Sequence, residues 1–437
     1  MKETLLNRIS DRSIVAGVVG LGYVGLPLAV EIAKAGFRTI GFDLMHEKTE
    51  KVNRGENYIA DIDHDVFAGL VSSGKLSATT DFSRIAEVDF IAICVPTPLD
   101  RHQQPDLSYI EQSSGQVGKF LRKDTMVVLE STTFPGTTTD IVRPILEKAS
   151  GLVCGKDFYL AFSPERVDPG NVSYKTGNTP KVLGAIGEDA RETIKTMYEC
   201  FIEGGVHTVS SPAVAEMEKI LENTYRNINI GLVNEMAMLC NRMKIDIWEV
   251  IDAAKTKPYG FSAFYPGPGL GGHCIPLDPY YLSWKVREYG FHTSMIETSM
   301  MINDRMPEYC VQRISNILNS FEKSLNKSKV LVLGIAYKAD VDDYRESPAI
   351  RVINVLEKNG AIVRFYDPYI KEYHENGITV KGEQELTAEL LSDSDITVIT
   401  TAHSAVDYDF VQKHSKAIFD TRNATRLTAD KSNIELL

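Results

Sequence analysis

The sequence predicts an α/β protein in which two doubly wound domains are joined by a central helical region with a long helix. Near each end of the chain, a short apolar run leads into a tight turn and then into a helical pattern, at 14–36 and at 329–357. Between them, from 212 to about 323, apolar residues recur at helical spacing. The domain boundaries that we infer are 1–208, 209–325 and 326–437.

The first domain begins with a βαβ unit. A β-branched run at 14–19 predicts a buried parallel strand, and the helix after it ends at Gly36. A second strand, 38–42, runs into Asp43. Later strands of the same sheet are predicted at 90–95, 126–129 and 158–162.

The C-terminal domain repeats this plan. Its predicted strand at 329–333 is followed by a helix at 349–357 and by a strand at 362–366 that runs into Asp367. Two further apolar runs echo runs of the first domain, with 395–399 matching 89–93 and 417–420 matching 127–130. The repetition predicts two related Rossmann-like domains, one at each end.

The first tight turn has the spacing of a dinucleotide-binding fingerprint. It follows a strand, opens a helix, and has Asp43 at the end of the next strand. Its glycines let the backbone approach a pyrophosphate at the helix N-terminus, and Asp43 would bind the ribose hydroxyls and repel a 2′-phosphate, which favours NAD over NADP. The alternative is a glycine-rich turn that binds another ligand, such as S-adenosylmethionine. The cofactor-binding candidates in the turn are Gly20, Gly22, Tyr23, Val24 and Gly25.

Polar side chains follow three strands of the first domain. Thr97 and Thr132 lie in proline-containing turns, and ligands of doubly wound sheets bind at the carboxyl ends of strands. Both threonines are therefore candidates to contact the cofactor or the substrate, although turn formation alone also explains the prolines. Glu165, in the segment 163–166, is a candidate general base, or a residue that orients water, with an acidic turn as the alternative.

The helix after Pro212 carries an apolar stripe and a polar stripe. The apolar stripe is Val214, Met217, Leu221, Tyr225, Ile228, Leu232 and Met236. The polar stripe is Glu216, Lys219, Asn223 and Asn227. A solvated face is the ordinary explanation of such a polar stripe, but a helix that links two α/β domains favours a buried polar site at Lys219 and Asn223. The helix is also long and central, which predicts a two-fold dimer interface along it.

The segment 267–279 is crowded with glycine and proline around Cys274. Such a segment cannot continue a helix or a strand, so it predicts a shaped loop that displays the thiol between His273 and Asp278. A thiol displayed in this way is a candidate nucleophile. A buried structural cysteine is the alternative.

In the C-terminal turn, Lys338 and Arg345 accompany Asp342, Asp343 and Ser347 and could hold a nucleotide diphosphate.

Bulk properties limit the partners. The formal net charge of −12 argues against nucleic acid and acidic membrane surfaces. We expect no membrane-spanning segment, because no apolar run is long enough. The six scattered cysteines predict reduced thiols in a cytosolic protein, with neither disulfides nor a metal site.

Together the motifs resemble the UDP-glucose/GDP-mannose dehydrogenase family over nearly the whole chain. The segments that carry the resemblance are 19–27, 131–132, 163–166, 215–223, 271–278 and 337–348. Within the family, the loop 266–274 and the pair Glu165–Arg166 are typical of enzymes that oxidise UDP-N-acetylhexosamines. The segment 257–261 looks most like that of enzymes acting on UDP-N-acetylglucosamine.

The resemblance implies an NAD-dependent enzyme that oxidises the sugar C6 hydroxyl to a carboxylate for surface polysaccharide synthesis. The long central helix predicts a homodimer or a higher homo-oligomer. Two NAD⁺ and one water are consumed, through a thiohemiacetal and then a thioester on Cys274. By family analogy, Lys219 stabilises oxyanions or moves protons, Asn223 holds the reacting oxygen, and Asp278 acts with a water as base. Glu165 and Thr132 assist hydrolysis, and Arg345 contacts the cofactor. The substrate-binding residues implied are Glu165, Arg166, Lys219, Asn223, Tyr265, Gly271 and Lys338.

Other functions stay open at this point. A two-electron dehydrogenase with a similar plan predicts one NADH per substrate and an inessential Cys274. A non-catalytic sugar-nucleotide-binding protein predicts binding without turnover. Among substrates, UDP-N-acetylmannosamine, UDP-N-acetylgalactosamine and UDP-glucose are the rivals.

Overall fold

Runs of apolar residues with no intervening charge form the central strands of a large sheet in the computed structural model. The structure describes residues 1–59, 61–100, 102–168, 171, 173–272, 274–375 and 377–437. The strands of this sheet are β1 (Val15–Val19), β2 (Arg38–Phe42), β3 (Leu76–Thr79), β4 (Phe90–Ile93), β5 (Thr125–Leu129), β6 (Phe158–Phe162), β7 (Lys181–Ala185) and β8 (Val206–Val209). Their order is β3-β2-β1-β4-β5-β6-β7-β8, and neighbours are parallel except β6 and β7.

The sheet is buried on both faces, which explains its continuous apolar runs. Along β4, Phe90 and Ala92 enter one hydrophobic cluster while Ile91 and Ile93 enter another. Alternate side chains of a strand point to opposite faces, so each face has its own core. The predicted strands of this sheet all form, with bounds within two residues of those expected.

The helices alternate with these strands and continue through the rest of the chain. They are α1 (Lys2–Ser10), α2 (Gly25–Lys34), α3 (His46–Asn53), α4 (His64–Ser72), α5 (Ser108–Phe120), α6 (Arg143–Ser150), α7 (Glu188–Tyr198), α8 (Pro212–Met243), α9 (Ile247–Ala254), α10 (Asp278–Lys285), α11 (Ser294–Asp304), α12 (Met306–Ser320), α13 (Pro348–Lys358), α14 (Ala388–Asp393) and α15 (Tyr408–His414). Within the described ranges, none of these helices combines the length and apolarity that a membrane span requires.

A second parallel sheet forms from the C-terminal part, as the repetition in the sequence predicts. Its order is β10-β9-β13-β14-β15, beside a separate antiparallel hairpin of β11 and β12. These strands are β9 (Lys329–Leu333), β10 (Ile362–Tyr366), β11 (Glu372–Glu375), β12 (Ile378–Lys381), β13 (Ile396–Ile399), β14 (Ile418–Asp420) and β15 (Ile434–Leu436). The fold is therefore an α/β fold with two doubly wound sheets and a long helix between them in the chain.

The chain forms two compact units. One comprises Met1–Glu222 and Tyr280–Gly290, and the other comprises Asn223–Pro279 and Phe291–Leu437. The boundary between them falls within α8, between Glu222 and Asn223.

The first turn of each sheet is built in the same way. Gly20 and Gly334 have φ of +92° and +83°, and a Cβ on either would lie 2.5 Å from a carbonyl oxygen of the neighbouring strand's loop. The aspartate after the second strand then holds each turn, because Asp43 accepts from Leu21 N and Asp367 accepts from Ile335 N. The turn of the C-terminal sheet therefore requires glycine at Gly334, as the first sheet does at Gly20, although it lacks the other two glycines of the fingerprint.

Helix α8 buries its polar stripe and exposes its apolar one. Glu216, Lys219, Asn223 and Asn227 are all buried. The exposed apolar side chains of the stripe, with 37% to 64% of their surface accessible, are Val214, Met217, Leu221, Tyr225, Leu232 and Met236. A solvated polar face is therefore wrong for this helix, and the alternative of a buried polar stripe is confirmed.

Candidate active site

The fingerprint turn fits a pyrophosphate. A Cβ on Gly25 would lie 1.9 Å from the carbonyl oxygen of Gly20, so this glycine is needed for the packing of α2 against the turn. A Cβ on Gly22 would meet nothing within 4 Å. The backbone at Gly22 is therefore open to a ligand at the N-terminus of α2, while Tyr23 beside it is half exposed and Val24 precedes the helix.

Asp43 lies where a dinucleotide site is expected to have the carboxylate that binds the ribose hydroxyls. One oxygen accepts from Leu21 N at 2.9 Å and the other from Met45 N at 2.9 Å. A carboxylate has about four acceptor positions, so these two bonds orient it and leave capacity for a ribose diol. The glycine turn and Asp43 together fit NAD.

Loops after β4 and β5 meet at the same edge of the sheet. The Ser131 hydroxyl accepts from Val95 N at 2.9 Å and donates to Val95 O at 2.7 Å, which joins the two loops. Tyr281 donates its hydroxyl to the carbonyl oxygen of Thr97. The structure thus brings Thr97 and Thr132 to the strand ends at which ligands of such sheets bind.

Glu216 fixes the loop that follows Thr132. Its carboxylate accepts from Gly136 N at 2.6 Å, from Thr138 N at 2.8 Å and from the Thr138 hydroxyl at 2.7 Å. Burial raises the pKa of Glu216, although these hydrogen bonds oppose the rise. This member of the polar stripe therefore holds a loop, which the sequence did not indicate.

Glu165 is held by its own backbone and by a lysine that the sequence analysis missed. Its Oε1 accepts from Arg166 N and Val167 N, both at 2.8 Å, and Lys181 Nζ lies 3.3 Å from its Oε2. Burial raises the pKa of Glu165, but Lys181 and the two backbone donors outweigh it and lower the pKa overall. The sequence feature that could have indicated Lys181 is its position as the first residue of the otherwise apolar strand β7.

Arg166 points its guanidinium at α8. It donates to Glu222 and to Pro180 O, and Glu218 lies 3.6 Å away. Burial, together with the neighbouring Glu222, raises the pKa of Glu218 to about 7. The positive charge of Arg166 is therefore balanced within the protein.

Lys219 differs from the other members of the polar stripe. Only 8% of its surface is accessible, and among the described residues its ammonium has no hydrogen-bond or ion-pair partner. Glu218 and Glu222 interact with its charge electrostatically without a direct ion pair, and a buried ammonium that lacks a direct partner is costly unless a ligand satisfies it. Lys219 is therefore a candidate for contact with a bound anion or developing oxyanion.

The Cys274 turn opens helix α10. Leu277 N and Asp278 N both donate to the carbonyl oxygen of Cys274, at 3.1 and 2.9 Å, while the cysteine itself is exposed. From α8, Asn223 Nδ2 donates to Asp278 Oδ2 at 2.5 Å and Asn227 Nδ2 donates to Ile275 O at 3.1 Å. The structure thus brings Cys274, Asp278 and Asn223 together, while His273 lies outside the described residues.

Further buried amides continue this arrangement. Asn234 accepts from Gly267 N at 3.0 Å and donates to Asn303 Oδ1 at 2.9 Å. Asn303 in turn donates to Asn227 O at 3.1 Å. These amides of α8 and α11 hold the start of the glycine-rich loop, and their role was missed because it depends on helix packing.

The glycine-rich loop packs on the C-terminal sheet's loops. A Cβ on Gly271 would lie 2.8 Å from Tyr337 Cβ, and one on Gly267 would lie 2.4 Å from Arg422 Nη1. Arg422 directly follows β14, donates to Thr400 O at 3.0 Å, and has no carboxylate within ion-pair distance among the described residues. Burial lowers its pKa. Arg422 is thus a candidate diphosphate ligand that the sequence analysis missed, and its place after an apolar strand was the signal.

Three other predicted residues have clear surroundings. Arg345 is exposed, and its guanidinium is held by Asp343 at 2.9 and 2.7 Å. Lys338 is partly buried in the turn after β9, beside Tyr337, whose N–H donates to Asp343 O. Tyr265 is half exposed, and its ring stacks on that of Trp248 with centroids 6.0 Å apart.

Models of one family match three successive parts of the chain. They describe the UDP-glucose/GDP-mannose dehydrogenase family: the NAD binding domain at 15–202, the central domain at 213–305 and the UDP binding domain at 331–427.

Similar proteins match nearly the whole of the chain. The UDP-N-acetyl-D-glucosamine 6-dehydrogenase of Pseudomonas aeruginosa is 34% identical over 97% of this chain and 100% of its own. The UDP-N-acetyl-D-mannosamine dehydrogenase of Pyrococcus horikoshii is 34% identical over 93% of this chain and 94% of its own. The solved structure of a UDP-D-ManNAc dehydrogenase from Pyrococcus horikoshii superposes with a TM-score of 0.86 at 31% identity, covering 97% of this chain and 98% of that one.

The fold, the NAD-fitting turn and these matches agree, and the chain therefore belongs to the UDP-glucose/GDP-mannose dehydrogenase family, as an NAD-dependent nucleotide-sugar 6-dehydrogenase.

Proposed function

We propose that the protein oxidises the C6 hydroxyl of UDP-N-acetylglucosamine to the carboxylate of UDP-N-acetylglucosaminuronate. The observation that carries this proposal is the exposed Cys274 in a turn whose next helix begins with Asp278, a carboxylate buried against Asn223. Oxidation of an alcohol to an aldehyde needs no nucleophile, whereas oxidation to an acid gains from one that holds the aldehyde.

When bound, NAD would supply the hydride acceptor for each oxidation at the sugar C6. Gly20, Gly22, Gly25 and Asp43 would hold it, with Tyr23, Val24, Thr97, Thr132 and Arg345 as further contacts. The thiolate of Cys274 adds to the C6 aldehyde, and the carbonyl oxygen takes a proton to give a thiohemiacetal. Loss of that proton and of a hydride gives a thioester, and attack by water releases the carboxylate and restores the thiolate.

The polar residues divide the proton and charge transfers. A free cysteine has a pKa of about 8.5 and is mostly thiol at neutral pH, so Lys219 would favour the thiolate and the oxyanions by its positive charge. Asp278 would accept the hydroxyl proton through a water, and Asn223 would orient both Asp278 and the reacting oxygen. Glu165 and Thr132 would bind the water that attacks the thioester.

We propose that the substrate lies along the C-terminal part of the chain. Lys338 and Arg422 supply cations for the diphosphate, and Gly271 allows close approach of the loop. Arg166, Glu165 and Tyr265 are further proposed contacts of the sugar. In this proposal residues 1–208 bind NAD, 209–325 carry the reacting cysteine, and 326–437 bind the UDP-sugar.

We also propose a homodimer, or a higher oligomer built from it, with the apolar stripe of α8 at the two-fold axis. Exposed apolar patches of this kind commonly mark interfaces. Light scattering should give at least twice the chain mass, and Leu221→Glu should reduce it because the exposed Leu221 lies at the middle of the stripe. A wild-type monomer at working concentration would refute the proposal.

The substrate proposal is tested with a panel of UDP-sugars and NAD⁺. We expect two NADH per sugar, with UDP-N-acetylglucosamine turned over faster than UDP-N-acetylmannosamine, UDP-N-acetylgalactosamine or UDP-glucose. The similar enzymes named for glucosamine and mannosamine substrates make the C2 epimer the critical comparison. Faster turnover of either epimer or of UDP-glucose than of UDP-N-acetylglucosamine would overturn the proposal.

A further inference from the structure

A lysine is buried beneath Glu165. Lys181 is the first residue of β7, and only 2% of its side chain is accessible. Its ammonium donates to Glu130 Oε2 at 2.5 Å, to Pro164 O at 3.2 Å and to Glu165 Oε2 at 3.3 Å. All three ammonium protons are therefore used inside the protein, and removal of either carboxylate would leave the charge poorly compensated.

Glu130 anchors the far side of this lysine. It follows β5, its side chain is fully buried, and its Oε1 accepts from the Tyr198 hydroxyl. Burial raises the pKa of Glu130 even though Lys181 opposes the rise. The pKa of Glu165 shifts in the opposite direction, because Lys181 and two backbone donors there outweigh burial. The two carboxyls on one lysine thus have different electrostatic environments, and Glu165 is the one that stays ionised most readily.

The same contacts give the two carboxylate oxygens of Glu165 different surroundings. Among the residues that the structure describes, Oε1 accepts from Arg166 N and Val167 N, and Oε2 accepts from Lys181. The side chain keeps 12% of its surface accessible. The side chain is therefore not sealed from solvent, and rotation of the carboxylate would break both backbone hydrogen bonds and the contact with Lys181.

We propose that Lys181 is a positioning residue for hydrolysis of the thioester, with Glu130 and Tyr198 holding Lys181 in turn. This inference rests on the proposed function and concerns its last step. Glu165 Oε2 takes one proton from the attacking water, the water oxygen bonds to the C6 carbonyl carbon, and the C6–sulfur bond breaks to give thiolate. The carboxylic acid formed and Glu165 then lose their protons to solvent.

The test compares Lys181→Met, Lys181→Arg and Glu130→Gln in the full-length enzyme with UDP-N-acetylglucosamine and NAD⁺. We expect Lys181→Met to lower kcat by about 10-fold or more, since general-base catalysis contributes roughly 10²–10⁴-fold. The KM for either substrate should change little. Intact-mass spectra should show a sugar-nucleotide acyl adduct on Cys274, because hydrolysis becomes slow after two NADH are formed. Lys181→Arg should restore hydrolysis and prevent adduct accumulation.

The pH profile separates positioning from general damage. The acid limb of kcat should move to higher pH in Lys181→Met, because Glu165 loses its cation. It should move to lower pH in Glu130→Gln, because Lys181 then has fewer carboxylates to balance. If Lys181→Met fails to fold, the shift in Glu130→Gln and the unshifted limb in Lys181→Arg still decide the matter.

Two results would overturn the inference: a folded Lys181→Met with no adduct and a wild-type acid limb, or an unshifted limb in Glu130→Gln. Failure of the proposed function is distinguishable, because the wild type would then release fewer than two NADH per sugar and Glu165→Gln would trap no adduct. Failure of the inference alone leaves two NADH and the Glu165→Gln adduct intact.

Discussion

Asn223 donates its amide Nδ2 hydrogen to Asp278 Oδ2 across 2.5 Å, between α8 and the first residue of α10. Both side chains are buried, and the carboxylate follows the Cys274 turn by four positions. The bond shows what this part of the polar stripe of α8 does: it fixes the start of α10, the helix that follows the Cys274 turn. The aspartate therefore has little freedom to move away from the proposed reacting centre.

Asn223→Ala should remove this bond and lower the free energy of unfolding by about 1.5–3 kcal/mol, the usual contribution of a hydrogen bond to a charged group. Chemical denaturation with a fixed m-value measures this loss. Asn229→Ala is the matched control on the same helix, since the one side-chain hydrogen bond of Asn229 within the described part of the chain goes to the backbone of Tyr225. Equal stability of the two variants would show that the bond contributes nothing.

Asp43→Ala should weaken NAD⁺ binding and relax the discrimination against NADP⁺. The carboxylate supplies acceptors for the ribose and a charge that repels a 2′-phosphate. Ratios of kcat/KM for the two cofactors measure the effect, with the exposed Glu47→Ala of α3 as control. Wild-type preference for NADP⁺, or an unchanged ratio in Asp43→Ala, would contradict this assignment.

Gly22→Ala and Gly25→Ala should fail in different ways. A Cβ at position 22 would have no described residue within 4 Å, so this variant should keep the wild-type Tm and bind NAD⁺ at least about 10-fold more weakly. A Cβ at position 25 would lie 1.9 Å from Gly20 O, so that variant should lose Tm without any ligand. Calorimetry of binding and thermal unfolding separate the two effects. Undiminished NAD⁺ affinity in a folded Gly22→Ala would place the cofactor elsewhere.

Glu218 should make stability depend on pH. Its pKa is raised from 4.5 to about 7 by burial and by Glu222, so the folded state binds this proton more tightly than the unfolded state. Stability therefore falls as pH rises from about 4.5 to about 7 and is then unaffected by this group. Glu218→Gln should gain Tm over wild type progressively between pH 5 and pH 8, whereas the exposed Glu235→Gln should not. A constant difference across that range would refute the shift.

Much of the fold could be predicted because parallel strands buried on both faces produce apolar runs that need no tertiary information. The runs at β1, β4 and β5 are examples. Strand β3 (Leu-Ser-Ala-Thr) and strand β8 (Val-His-Thr-Val) went unpredicted, because they are short and mix polar with apolar residues near the sheet edges. The hairpin of β11 and β12 was missed for the same reason.

The residues of the candidate site likewise fall into those that the sequence indicates locally and those that depend on distant partners. Local chemistry marks Cys274, Asp278 and the glycine turn as candidates in the sequence alone. For Lys181, Glu130 and Arg422 the sequence offers at most a position beside an apolar strand, because their roles depend on partners that are distant in the chain, such as Glu165 for Lys181. The buried face of α8 was ambiguous from the sequence, because a helix with one polar and one apolar stripe does not itself reveal which stripe is buried.

Covalent catalysis by Cys274 is tested most directly by counting NADH per sugar in Cys274→Ala, with Cys154→Ala as the control for loss of a thiol. Cys274→Ala should bind NAD⁺ and UDP-N-acetylglucosamine yet form no uronate at a significant rate. Cys274→Ser should also lose net turnover, because a serine hydroxyl is a weaker nucleophile and a poorer leaving group. Cys154→Ala should still give two NADH. If Cys274→Ala also makes two NADH per sugar at near the wild-type rate, the reaction runs through a hydrated aldehyde and the covalent mechanism is wrong.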